Sequence, residues 1–131
     1  MNVNIDSKLL VISGPQGCGK STKARQIAVE PFREIDVGGL SSAFELSDVL
    51  LSRPKTLIID DLPRTRAQKE MLKMLVRSDT WVCARKGLPS EHVPVPHLIL
   101  CTSDDYRDFD LGDRSFTVLH LQRPLSNYKA T

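Results

Sequence analysis

Apolar and polar residues fall along this chain in blocks that read alternately as strand and helix. KLLVIS, residues 8–13, is a continuous apolar run of strand length, and TKARQIAV, residues 22–29, has helical character until Pro31 bars its continuation. REIDV, residues 33–37, predicts a short second strand, ended by Gly38 and Gly39. Ser42-Ala43-Phe44-Glu45 has the capping-box pattern and predicts a helix to about Leu51, before Pro54. TLIID, residues 56–60, is a third apolar strand. A helix follows from about Pro63 to Arg77, with Ala67, Met71, Met74 and Leu75 on its apolar face. Residues 81–85 have strand character. KGLPSEHVPVP, residues 86–96, holds too much proline and glycine for a helix, and a hairpin fits there. HLILCT, residues 97–102, and residues 116–121 are further strands, and 121–131 reads as a loose tail.

Strands that alternate with helices predict an α/β fold, a mainly parallel sheet covered on both faces with ligand sites at the carboxyl ends of its strands. With 131 residues, the expectation is one domain over 1–131, too short to carry a separate substrate lid.

One such strand end carries GPQGCGKS, residues 14–21, which fits G-x-x-x-x-G-K-[ST] between a strand and a helix. Glycines suit a loop whose successive N–H groups turn inward on a phosphate, because this demands positive φ and leaves no room for Cβ atoms. The expected triphosphate contacts are Gly14, Pro15, Gln16, Gly17, Cys18, Gly19, Lys20, Ser21 and Thr22, with Lys20 on the β- and γ-phosphates. Ser21 offers its hydroxyl to magnesium, and the helix points its positive end at the anion. The expected cofactors are therefore ATP and Mg2+. Oxidation of Cys18 could block the loop; the alternative is a small, tolerated side chain.

LIIDD, residues 57–61, delivers two carboxylates to the end of another apolar strand. In the order phosphate loop, then acids, Asp60 is the candidate second magnesium ligand. Asp61 is the candidate to orient or deprotonate an attacking water. HLILCTSDD ends a further strand in Thr102, Ser103 and Asp104, candidates to sense a γ-phosphate.

Charge adds a possible partner. The net charge is only +2, but residues 53–86 hold nine basic and four acidic groups. Arg66, Lys69, Lys73 and Arg77 recur at helical spacing, as either a solvated face or one that meets nucleic-acid phosphates. Three scattered cysteines and three histidines fit neither a disulfide framework nor a zinc site. No apolar run reaches membrane-spanning length and the N-terminus does not resemble a signal segment, so a cytoplasmic protein without a membrane partner is expected.

The succession GPQGCGKS, LIIDD, a helix with LKML, a basic hairpin, LILCTSDD and LGDRSFTVLHL resembles AAA+ and superfamily 3 helicase ATPases, most nearly the virulence-associated E and phage primase-helicase type. The resemblance covers about residues 8–121. It implies a three-layer P-loop sandwich with a five-stranded sheet, in which an inserted strand separates the phosphate-loop strand from the LIIDD strand. Residues 97–102 would be that insertion, with 116–121 beyond the phosphate-loop strand. It also implies a DNA-directed ATPase of phage or mobile-element replication, acting as a homo-oligomeric ring with single-stranded DNA or other replication proteins. Catalysis falls to Lys20, Asp60, Asp61 and Arg114, the last as a finger toward a neighbour's phosphate or a sensor of its own. Thr102 would contact the nucleotide, and Arg85 and Lys86 of the hairpin would face nucleic acid. Gly112, Asp113, Arg114 and Phe116 match the family's last element, whereas Asp104 and Ser115 depart from its asparagine and second arginine.

DDLPRTRAQKEML is also similar to the D-G-F-P-R-T-x-x-Q segment of adenylate kinases, with Asp61 in place of the glycine. That resemblance implies Asp60 on magnesium, Arg64 on phosphates and Gln68 on an acceptor base. A third possibility is a loader or clamp that uses ATP occupancy as a slow switch.

Overall fold

A computed structural model of the chain describes residues 8–103 and 116–122. Its centre is a five-stranded sheet formed by β1 (Leu9–Ser13), β2 (Phe32–Asp36), β3 (Thr56–Asp60), β6 (His97–Thr102) and β7 (Thr117–His120). The order across the sheet is β2-β3-β6-β1-β7, and every neighbouring pair is parallel. β6 therefore lies between β1 and β3. The other pair, β4 (Thr80–Arg85) and β5 (Leu88–Pro94), forms a separate antiparallel hairpin.

Both faces of the sheet are covered, which explains why its inner strands are uninterrupted apolar runs. Side chains alternate between the faces. Leu10, Ile12, Ile58, Ile99 and Cys101 pack with Ala24 of α1 (Lys20–Ile27) on one side. Leu9, Val11, Leu57, Ile59, Leu98 and Leu100 face the larger core on the other. That core is completed by α2 (Ala43–Leu51), α3 (Arg66–Arg77) and the buried residues Cys83 and Val93 of the hairpin.

Local chemistry sets the helix starts. Ser42 accepts from the Glu45 N–H at the start of α2. α3 begins at Arg66 rather than at Pro63, because Thr65 and Gln68 form a reciprocal capping box. Its buried side chains are Gln68, Leu72, Leu75 and Val76, so the expected face is corrected by part of a turn. Ala67 is exposed and Met74 half exposed; of the basic face, Arg66, Lys69 and Arg77 are exposed, whereas Lys73 is partly buried and lies 3.8 Å from Glu70.

The proline-rich stretch 86–96 contains strand β5, which pairs with β4 to make the hairpin expected there. In a two-stranded ribbon each strand has a free edge, and there a proline costs no ladder bond. Lys86-Gly87 makes the turn, with Gly87 at φ 72°.

Candidate functional site

The carboxyl ends of β1, β3 and β6 open onto one cavity of about 260 Å³. It is lined by Gln16, Lys20, Asp60, Asp61, Thr102 and Ser103, all named from the sequence, by Arg64, named there for a kinase, and by Asp36 and Cys101. Parallel strands bring these groups together because all their carboxyl ends meet at one edge.

The glycine loop between β1 and α1 is built by backbone demands. Gly17 and Gly19 have φ of 80° and 88°, in the left-handed region. Gly14 is required for a different reason: a Cβ there would lie 2.6 Å from the Leu121 carbonyl oxygen and 2.7 Å from Cys18 Sγ. Gly19 is also the N-cap of α1 and has no side chain to satisfy the first-turn N–H groups. Lys20 lies across the loop, its ammonium donating to the carbonyls of Gly14 (3.0 Å) and Pro15 (3.1 Å). A lysine over a left-handed glycine loop at a helix N-terminus is an anion-binding arrangement by its chemistry.

Asp60 ends β3 in register with Asp36 of β2 on one side and Cys101 of β6 on the other. Register partners on parallel strands share a face, so the row runs Asp36, Asp60, Cys101 along the α1 side. Burial, then the Asp60 charge, push the Cys101 thiol up to about 11. Cys101 is therefore a neutral wall of the site.

Asp61 turns the chain at φ 83°, an uncommon conformation for a residue with a Cβ. Its carboxylate accepts from the Leu62 N–H at 2.8 Å, and both its oxygens lie 3.3 Å from the Arg64 guanidinium. The Asp61 N–H donates to the Cys101 carbonyl at 2.7 Å. This locks the turn after β3 to the end of β6.

No protein-family model matches the sequence, and no curated protein matches it. Solved structures do. The apo structure of the NrS-1 C-terminal region (305-718) aligns with a TM-score of 0.66 and 19% identity over 92% of this chain. An A form apo structure of that region gives 0.64 and 19% over 90%, and a second 0.58 and 18% over 88%. The likeness is one of fold. The chain spans only 31%, 30% and 28% of the length of those three.

Several named residues lie away from the cavity wall. Ser21 and Thr22 are exposed in the first turn of α1, and Ser21 is not on the wall beside Asp60. Arg85 is spent within the hairpin, donating to the Pro89 carbonyl at 2.9 Å and pairing with Glu91 at 3.3 Å. Lys86 is exposed at the turn. Gln68 has its amide consumed: it accepts from the Arg64 and Thr65 N–H groups and donates to Ser41. Asp104, Gly112, Asp113, Arg114 and Ser115 lie outside the described residues. Asp36 was missed. The signal was there in REID and LIID, two strands that each end in Ile-Asp.

Among the described residues, no group of three or more His, Cys, Asp or Glu side chains is arranged to hold a metal ion. A divalent cation at Asp60 would take its remaining ligands from other oxygens, which a bound metal-triphosphate and water can supply. Also among the described residues, no helix is long and apolar enough to cross a membrane.

Proposed function

We propose that the chain is a P-loop ATPase domain of the AAA+/superfamily 3 helicase type, which binds ATP with Mg2+ and hydrolyses it. The reading rests on one observation: Lys20, Asp60, Asp61 and Thr102, drawn from two strand ends and a glycine loop, line one cavity. Lys20 and the loop N–H groups would hold the β- and γ-phosphates, and Asp60 the cation. Asp61 would orient or deprotonate water, and Thr102 or Ser103 would report the terminal phosphate. Magnesium would draw charge from the phosphates when bound. The position of β6 between β1 and β3 supports the AAA+-type order over that of adenylate kinases, where the first and third of these strands pair directly. The buried Gln68 amide, whose oxygen accepts two backbone N–H groups and whose nitrogen donates to Ser41, also argues against an acceptor base at that residue.

Action on single-stranded DNA in phage or mobile-element replication, as a homo-oligomer in which Arg114 reaches a neighbour, follows from the family resemblance. The slow-switch alternative is favoured by one feature: the Asp61 carboxylate is held by Arg64 and the Leu62 N–H. Phosphate release from ATP, with and without single-stranded DNA and with AMP added, tests all three. Stimulation by DNA supports the helicase-type reading, consumption of AMP with ADP formed and no phosphate released supports a kinase, and slow turnover indifferent to both supports a switch. An ATP-binding measurement that finds no affinity would sink the assignment.

A further inference from the structure

At the end of the sheet opposite the cavity, where β1, β3 and β6 begin, lies an open groove of about 450 Å³. Its ionisable lining residues are Lys8, Arg53, Lys55 and His97, with no acid among them, and its apolar lining includes the exposed Val29 and Pro94 above the buried Pro54 and Pro96. Lys8 is held by the Ser78 carbonyl and by Asp79. Lys55 is exposed, and its ammonium has no hydrogen bond or ion pair among the described residues.

Arg53 adds a backbone observation. It follows the C-cap Ser52 of α2, donates its N–H to the Leu50 carbonyl at 2.9 Å, and has φ 53°. That position normally belongs to glycine. An arginine there sets its guanidinium beside the groove, where Glu91 orients it at 2.8 Å. A residue kept in a disfavoured conformation points to a use for its side chain.

We propose that this groove binds single-stranded nucleic acid, with backbone phosphates on Lys55 and Arg53 and a sugar or base against the exposed Val29 and Pro94. Cations beside an apolar lining match a polymer that alternates charge with flat apolar faces. An acidic peptide would satisfy the cations but leave the apolar lining uncovered. The proposal shares with the proposed function the expectation of a nucleic-acid partner, but it does not depend on the nucleotide site.

The test is anisotropy of a fluorescent oligothymidylate with the full chain, over about 50 to 200 mM salt. Lys55→Gln and Arg53→Gly should each weaken binding at least about threefold and flatten the salt slope by about 0.7. Glycine suits the Arg53 backbone, so that variant keeps its fold, which a melting curve checks. Wild-type affinity in both variants, or no binding by the parent chain, overturns the proposal. So does a loss that follows Lys86→Ala alone, which would place the contact on the hairpin. Competition by polyglutamate with the same dependence on Lys55 would mean that the groove takes an acidic protein segment, and also overturns it. ATP binding measured on the same variants separates the two readings: an oligonucleotide-binding chain without ATP affinity loses the nucleotide assignment and keeps the groove.

Discussion

Replacing Asp61 by asparagine should separate stability from turnover. Three local features set the stability cost. The φ of 83° is one that asparagine tolerates as well as aspartate does. The 2.8 Å bond from the Leu62 N–H is kept, because the amide oxygen can accept it. Only the charge partnership with Arg64 is lost. With both side chains substantially exposed (40% for Asp61, 62% for Arg64), that pair is worth on the order of 0–1 kcal/mol. The melting temperature should therefore move by no more than about 4 °C. Turnover should fall by roughly 10²–10⁴, the usual contribution of a positioned base, while ATP stays bound, because the amide is not basic enough to take a proton. Phosphate release at saturating ATP beside a thermal melt reads both quantities. Hydrolysis at the parent rate would reduce Asp61 to a turn residue. A melting point lowered by about 10 °C or more would refute the energetic reasoning. Asp61→Gly is the companion variant: it keeps the positive φ and removes the carboxyl, so it should match asparagine in lost turnover.

Lys20→Ala should abolish tight triphosphate binding with little change in melting temperature, since the ammonium bonds only two loop carbonyls; a fluorescent-nucleotide titration checks it. Gly14→Ala places a methyl against the Leu121 backbone and should cost about 1–3 kcal/mol in urea unfolding. For Cys101 the folded pKa of about 11 stands above the ordinary 9.0, so the folded state keeps a proton that the unfolded chain has lost. Stability should then fall as pH rises from about 9 to 11 and stay flat below, and the fall should shrink in Cys101→Ala, measured by urea midpoints.

The sheet strands were legible because doubly covered parallel strands must be apolar throughout, and LLVIS, TLIID and HLILCT are. Their register was not. Nothing in REID alone says that Asp36 will stand beside Asp60, since register depends on the length and packing of the connecting segments. The phase of α3 was misread because its apolar residues fall on two stripes. The stripe that wins includes Gln68, a polar side chain drawn inward to 8% exposure by the capping box and Ser41. The loop residues Lys20 and Gln16, named from motif spacing, line the cavity. Arg64 was named only for a kinase, although its guanidinium faces the same cavity.

On the proposed function, the charges in that cavity favour a metal-bound nucleotide over a free one. Among the described residues, Asp36, Asp60 and Asp61 stand against Lys20 and Arg64, and Arg64 is already engaged with Asp61. A free triphosphate entering such a space would bring several negative charges toward a net negative wall, and in a partly enclosed site like charges repel more strongly than in water. A triphosphate carrying a divalent cation reverses the sign of the encounter at Asp60 and Asp36, because the ion is the largest local charge. ATP affinity should therefore drop at least about tenfold on chelation of magnesium, since a tenfold change needs only about 1.4 kcal/mol and one unscreened carboxylate contact exceeds that. Asp60→Asn and Asp36→Asn should each narrow the gap between affinities with and without the metal, because each removes part of the repulsion. Equal affinity for ATP with and without magnesium in the parent chain would show that the carboxylates do not face the phosphates, and would move the nucleotide away from this wall.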